Sequence, residues 1–384
     1  MFNSNILNQF KSLDTPFYYY DLKLLRNTIS KVKELSEQYD FDIHYAVKAN
    51  SNHPILNEMK DAGFGADCVS GNEVKLAYKI GFDPKNILFA GVGKTDKEIN
   101  AALDIGIKAF NCESLQEIEV LNELASQKGQ VAEISLRINP NVDAKTHRYI
   151  TTGLDENKFG INQVDIPLVI ERLKSLSNIN LTGLHFHIGS QITDMNVFKG
   201  LCLRVNEIQN WFHEHGVNIV HLNLGGGLGI DYLRPDEESI PDFGTYFQIF
   251  DQFLERKSGQ KIHFELGRSL VAQCGNLISR VVYIKNGLNT NFAIIDAGMT
   301  ELMRPALYQS YHQIDNLTSQ DAEKEYDVVG PICESTDCFG KAVKLPETKR
   351  GDLIAIRSAG AYGEVMTSNY NLRDKNEAIY VEAV

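Results

Sequence analysis

The 384-residue sequence is defined first by what it lacks. No apolar run approaches the ~20 residues that a membrane-spanning helix needs, so no transmembrane segment is expected. The opening MFNSNILNQFKSLDTP has no basic stretch followed by an apolar core, and no signal peptide is expected from it. Positive charge is in deficit: 38 Lys and Arg face 50 Asp and Glu, a formal net charge of −12. That balance opposes non-specific binding to nucleic acid or an anionic membrane, both of which need a basic patch. Cysteine is sparse. Its six positions (68, 112, 202, 274, 333 and 338) are scattered, which fits reduced thiols in a cytosol better than a disulfide framework. Internal repeats, low-complexity segments and long linkers are also missing. A cytoplasmic enzyme of about two domains is expected, since single cores stop growing beyond ~250–300 residues.

What is present is alternation. Strand-like runs occur at 43–50, 64–70, 86–92, 108–114, 131–139, 181–189, 220–227 and 261–268. Between them lie segments such as SGNEVKLAYKIGF and TDKEINAALDIG, with apolar residues three and four apart, acids in the first turn and a closing Gly. Strands alternating with helices imply parallel βαβ units, and eight in succession predict an α/β fold, a TIM-like (β/α)8 barrel over 22–268. A doubly wound open sheet is the alternative on pattern alone. From 269 the texture becomes strand-like without helical period, predicting a mostly antiparallel β-barrel or sandwich domain over 269–384. The early run TPFYYYDL is expected to join it, so that 1–21 belongs to this domain.

In such barrels catalytic groups sit at the C-terminal ends of the strands. The unusual polar residues fall there: Lys48, Asp67, Arg137, His187 with Ser190, Gly225 to Gly227, and Glu265 with Arg268. Lys48 ends the first strand between apolar neighbours, where burial would disfavour the ammonium and suit a Schiff-base lysine; a snorkelling lysine is the plainer reading. The three glycines end the seventh strand, where barrels often hold phosphate. His185 and His187 are expected on one face of a strand, which could begin a metal site, but no matching ligands stand out and no metal is expected; His185 reads best as a core histidine. Glu265 ends the eighth strand. A lysine, a phosphate cradle and a carboxylate are together what pyridoxal 5'-phosphate requires.

One stretch stays ambiguous on its own. GPICESTDCF (330–339) sets Cys333 and Cys338 around Glu334 and Asp337, and reads locally as a metal clip, a disulfide, a buried turn or a site of proton transfer.

Taken in order, the pieces TPFYYYD, YAVKAN, GADCVSGNE, THRYITTGLDENKFGI, GLHFHIGSQ, LNLGGGLGI, ELGRS, MRPALY, CESTDCF and GAYG resemble the fold-type III pyridoxal-phosphate-dependent decarboxylases, whose architecture is alanine-racemase-like. TTGLDENKFGI, HIGSQ and CESTD look more like the members acting on diaminopimelate than those acting on ornithine or arginine. The resemblance implies decarboxylation of meso-2,6-diaminopimelate to L-lysine and CO2, the last step of lysine biosynthesis. It implies Lys48 as the cofactor-bound lysine, His187 against the ring, Asp67 near Lys48, and Glu265 at the ring nitrogen. Ser190, Gly225, Gly226, Gly227, Leu266, Gly267 and Arg268 would surround the phosphate; many relatives have Pro where Leu266 stands. Arg268, Arg304, Tyr308, Glu334 and Tyr362 would bind substrate, with Tyr362 also touching the cofactor. Cys333 would be the proton donor, acting with Glu334 across a homodimer with shared active sites. Other readings are a decarboxylase of another basic amino acid or of carboxynorspermidine, a catalytically silent cofactor-binding regulator, and a metal-dependent hydrolase using His185 and His187.

Overall fold

The computed structural model describes residues 2–142 and 158–382. Residues 146–157 of the motif THRYITTGLDENKFGI lie outside them. The chain forms two compact units. One contains Ile29–Gly229 and Asp242–Gly267; the other contains Met1–Thr28, Ile230–Pro241 and Arg268–Val384.

The chain begins with helix α1 (Ser4–Lys11), strand β1 (Phe17–Asp21) and helix α2 (Leu22–Tyr39). Eight parallel strands follow: β2 (Phe41–Ala46), β3 (Gly65–Cys68), β4 (Ile87–Phe89), β5 (Ala109–Cys112), β6 (Ala132–Arg137), β7 (Ile179–His185), β8 (His221–Asn223) and β9 (Lys261–Leu266). They pair in chain order, and β9 pairs back onto β2 from Phe41↔Ile262 to Tyr45↔Leu266, which closes the barrel. The open-sheet alternative is thereby excluded. Helices α3 (His53–Asp61), α4 (Gly71–Ile80), α5 (Asp96–Ile105), α6 (Leu115–Gln127), α7 (Ile166–Leu173), α8 (Asn196–Glu214) and α9 (Phe243–Phe253) connect the strands.

The sequence fixes where three of these helices start. Ser70, Thr95 and Ser114 each accept a hydrogen bond from the backbone N–H of the glutamate three residues on, at 3.2, 3.4 and 3.2 Å. Glu73, Glu98 and Glu117 reach back to the N–H groups of Val69, Thr95 and Glu113. Each arrangement satisfies N–H groups that a helix N-terminus leaves open. It also fixes the short turns that leave the C-terminal ends of β3, β4 and β5.

Strand period 2 sorts the β9 side chains. Phe264 points to α9, its ring 4.8 Å from Phe250 and 5.2 Å from Phe247. His263 and Glu265 alternate with it and point into the barrel. There the usual branched apolar filling is replaced by polar groups in two tiers. The lower tier is a string of histidines: His44 Nε2 lies 3.1 Å from His263 Nδ1, and His263 Nε2 lies 2.9 Å from His221 Nδ1. The upper tier, around Glu265, is the candidate site.

The second unit adds helix α10 (Arg268–Val271), strands β10 (Gly275–Asn286) and β11 (Asn291–Ile295), helix α11 (Arg304–Tyr308), and strands β12 (Ile314–Asn316), β13 (Glu323–Val329), β14 (Cys338–Pro346), β15 (Leu353–Ile356) and β16 (Ile379–Val381). The sheet runs β12-β15-β10-β11-β13-β14, with β1 antiparallel to β10 and parallel to β16. Most pairs are antiparallel, as expected; β11 with β13 is parallel. The core here joins Ile6 and Phe10 of α1 to Phe17, Tyr19, Ile278, Leu353 and Ala355. Strands β12 and β14 have no counterpart in the sequence reading, being short or rich in Gly and Lys.

Candidate active site

Lys48 lies in the single turn Val47–Ala49 that directly follows β2, and its side chain is about one-third exposed. Its Nζ is 3.4 Å from Oδ2 of Asp67, a fully buried residue of β3. The other oxygen, Asp67 Oδ1, is buried without a partner. Burial, helped by the charge of Glu265, raises the Asp67 carboxyl to about 7 against the pull of Lys48.

Glu265 is treated oppositely. Its Oε1 accepts from Asn223 Nδ2 at 2.7 Å and from Asn111 Nδ2 at 3.2 Å, and Oε2 lies 3.1 Å from His185 Nε2. Burial pushes this carboxyl up, but His185 and Lys48 outweigh it and hold it well below the usual carboxylate range. One barrel thus carries a buried carboxyl that readily takes a proton and another that remains an anion. Environments that push two acids apart mark sites of proton chemistry.

His187 lies two residues past His185, where β7 ends, and so falls outside the strand on which the sequence reading placed both. His187 Nδ1 accepts from Gly226 N at 3.4 Å. Burial, with Lys48 and Arg137 nearby, pushes its pKa well down and keeps the imidazole neutral. His185 is buried, as the core reading expected, and belongs to the Glu265 cluster; its Nδ1 is buried without a partner. Arg137 pairs with Glu113 at 2.8 Å, and Glu113 also accepts from Gly160 N.

The three glycines leave room that no other residue could. Gly225 and Gly227 have φ of +66° and +98°. A Cβ added at Gly225 would meet Phe186 O at 2.4 Å, at Gly226 it would meet Glu265 O at 2.0 Å, and at Gly227 Gly189 O at 2.8 Å. Ser190 follows Gly189. The turn is a backbone surface suited to a phosphate. A lysine, a cradle that a Cβ would fill, an anionic Glu265 and two unpartnered buried atoms fit pyridoxal phosphate.

A second cluster lies within the other unit. Arg268, opening α10, and Arg304, opening α11, are both buried. Arg268 donates from Nη1 to Tyr232 Oη at 2.6 Å and lies 4.9 Å from the Tyr362 ring. The Arg304 guanidinium lies 5.7 Å from the Tyr232 ring and 5.9 Å from Tyr308. Among the described residues, its hydrogen bond and ring contacts involve no carboxylate. Tyr362 and the nearby Ser358 both adopt φ of +55°, a conformation that functional sites retain at a cost.

GPICESTDCF resolves into separate roles. Asp337 is buried and accepts from Met299 N at 2.6 Å and Ile332 N at 2.7 Å, so it organises the loop. Cys333 and Glu334 are exposed; Cys333 N donates to Asn371 Oδ1, and Tyr370 Oη donates to Glu334 Oε1 at 2.9 Å. Cys338 opens β14 and all six thiols are free, so the disulfide reading fails. No group of three or more potential metal ligands occurs among the described residues.

Sequence reasoning passed over Asn111, Asn223, Tyr232 and His312. A partial signal existed for Asn111, a lone amide in the otherwise apolar strand β5. Tyr232 and His312 had none, because their roles depend on folded contacts.

Comparisons with known proteins agree with this geometry. Residues 25–272 match the pyridoxal-binding domain of the pyridoxal-dependent decarboxylases. The chain is 53% identical to the diaminopimelate decarboxylase of Bacteroides thetaiotaomicron over 96% of both chains. It is 41% identical to that of Vibrio cholerae, covering 99% of this chain and 89% of the relative. The crystal structure of the Helicobacter pylori diaminopimelate decarboxylase complexed with L-lysine superposes with a TM-score of 0.92 at 39% identity, covering 98% of this chain and 94% of that one. The chain therefore belongs to the pyridoxal-dependent decarboxylases and, within them, to the diaminopimelate decarboxylases.

Proposed function

We propose that this protein decarboxylates meso-2,6-diaminopimelate to L-lysine and CO2 with pyridoxal phosphate, as a homodimer in which each active site draws on both subunits. The observation that carries the cofactor reading is the pairing of Lys48 with an anionic Glu265 inside one barrel. Bound there, pyridoxal phosphate supplies an aldehyde for an amine and a ring that accepts the electron pair released as CO2 departs.

The chain's own residues would divide the work. Lys48 Nζ would be the amine that holds the cofactor, and Asp67 would steady the lysine's ammonium form when it is free. Glu265, supported by Asn111, Asn223 and His185, keeps a proton on the ring nitrogen. His187 presents a neutral imidazole to the ring. The glycine turn at Gly225 to Gly227, with Ser190, Leu266, Gly267 and Arg268, would hold the phosphate. Arg268 and Arg304 bind the carboxylate that is retained, since guanidinium forks match that geometry, and Tyr308 and Tyr362 line the same cluster. When the Cα–carboxylate bond breaks, the partner's Cys333 returns a proton from Sγ to Cα, and the partner's Glu334 receives the distal ammonium. The exposure of Cys333 and Glu334 supports a role between subunits. A cytoplasmic location is part of the same reading, supported by six free thiols. No helix among the described residues is long and apolar enough to cross a membrane.

The test is CO2 release from meso-diaminopimelate, lysine, ornithine, arginine and carboxynorspermidine by protein supplied with pyridoxal phosphate. Diaminopimelate should be preferred, and borohydride should fix the cofactor at Lys48. A protein that gains no visible absorbance band with the cofactor would end the reading.

A further inference from the structure

Two buried cations stand close together in the second unit, and each is tethered by an uncharged acceptor. Tyr232 Oη accepts from Arg268 Nη1 at 2.6 Å, and the Tyr232 ring lies 5.7 Å from the Arg304 guanidinium. His312 is buried, and its Nδ1 lies 2.9 Å from Arg357 O. That carbonyl can only accept, so Nδ1 carries the proton and Nε2 is left as the acceptor, 3.5 Å from Arg304 Nε. The two tethers touch: the rings of Tyr232 and His312 meet edge to face at 5.0 Å and 77°. The result is one continuous train, Arg268–Tyr232–His312–Arg304.

We propose that Tyr232 and His312 are positioning residues that aim the two guanidinium groups at a substrate carboxylate, neither tether itself adding a neutralising charge. An acid in either place would orient an arginine equally well, but it would also satisfy the charge that the ligand must meet. Contrast Arg357, which fixes its guanidinium with two acids, Asp236 and Asp315, at 2.7 and 2.8 Å. Burial and the neighbouring Arg304 push His312 down to about 3, so it stays an uncharged acceptor at neutral pH. For Tyr232, burial works to raise the phenol, but Arg268 and Arg304 win and lower it. Both tethers keep a lone pair toward the cation they hold.

This inference rests on the proposed carboxylate-binding role of Arg268 and Arg304, and the experiment separates the two. Tyr232→Phe, His312→Leu, His312→Gln and Arg304→Ala are each assayed with meso-diaminopimelate for kcat and KM. Inhibition by L-lysine is compared with inhibition by cadaverine, which lacks the carboxylate, and cofactor loading is read from the visible band. Tyr232→Phe and His312→Leu should raise KM and the lysine inhibition constant about tenfold, the scale of a lost hydrogen bond to a charged group. The kcat, the cadaverine constant and the visible band should hold, and His312→Gln, which restores an acceptor, should recover most of the loss. If Arg304→Ala raises KM while Tyr232→Phe and His312→Leu do not, the positioning role is overturned and the carboxylate site stands. Equal weakening of lysine and cadaverine would make both residues merely structural. An unchanged KM in Arg304→Ala would remove the carboxylate site and this inference with it.

Discussion

Asn223 Nδ2 lies 2.7 Å from Glu265 Oε1, the shorter of two amide hydrogen bonds that hold this buried carboxylate. Exchanging the amide for an acid tests what that contact does. Asn223→Asp keeps the size but sets a second carboxylate beside the first, and like charges raise a carboxyl pKa. Glu265 would then take a proton and cease to act as an anion. We expect kcat to fall by about 10²–10³, in line with the loss of one preorganised electrostatic group, while borohydride still fixes the cofactor at Lys48. A wild-type kcat would show that the amides do not control Glu265.

The histidine string gives the barrel a pH dependence of defined sign. Burial and the Lys108 charge lower His44 to about 4, and His221 to about 4 as well. The other titratable groups acting on His44 are Glu265 and His221, and Asp42 approaches His263 at 3.5 Å. A histidine depressed in the folded state contributes stability above its unfolded pKa of ~6.5, and loses it as pH falls toward the folded value. For the fully buried His44 this is on the order of 3 kcal/mol. Calorimetric melting between pH 7 and pH 4 should show a falling Tm, with a shallower fall in His44→Gln. Parallel slopes would mean the string does not govern acid stability.

Subunit sharing can be read by complementation. Lys48→Ala and Cys333→Ala chains are each expected to be nearly inactive alone. Mixed equally and allowed to exchange, they should recover about a quarter of the wild-type activity, because half the dimers are hybrids with one intact site. No recovery after demonstrated exchange would place both residues in sites built from one chain.

Asp337 should matter for the loop rather than for chemistry. Burial raises its carboxyl while the N–H groups of Ile332 and Met299 lower it, with a net upward shift. Asp337→Ala leaves two N–H groups without their acceptor, at about 1–3 kcal/mol each where buried. Asp337→Asn keeps an acceptor and should cost less. Equal Tm values for the two variants would remove the loop-organising role.

The barrel was legible because two periods, 2 and 3.6, alternate eight times, and because the Ser or Thr that starts a helix is followed three residues on by Glu at 70/73, 95/98 and 114/117. Lys48, Glu265 and the three glycines were legible because each is an unusual residue at a strand end. His187 was placed on the strand because the alternation was carried past His185, where β7 ends. Asn111 and Asn223 needed the inward register, which one strand cannot reveal alone. Tyr232 and His312 were invisible, since neither meets Arg268 or Arg304 until distant segments fold together. In GPICESTDCF the residue that shapes the loop is Asp337, and no local spacing distinguishes it from Glu334.

The histidine string also has a direction. His44 Nδ1 faces Asn86 O at 3.2 Å, and that carbonyl can only accept. His44 must therefore offer Nε2 to its neighbour as a lone pair, which obliges His263 to donate from Nδ1 and accept at Nε2. His221 is bound by the same rule. All three rings are locked as the Nδ1–H tautomer, the reverse of the form that free imidazole side chains prefer in water. Nitrogen NMR of the labelled protein should find three such rings together. A single carbonyl at the edge of the barrel thereby sets the polarity of every link along the line.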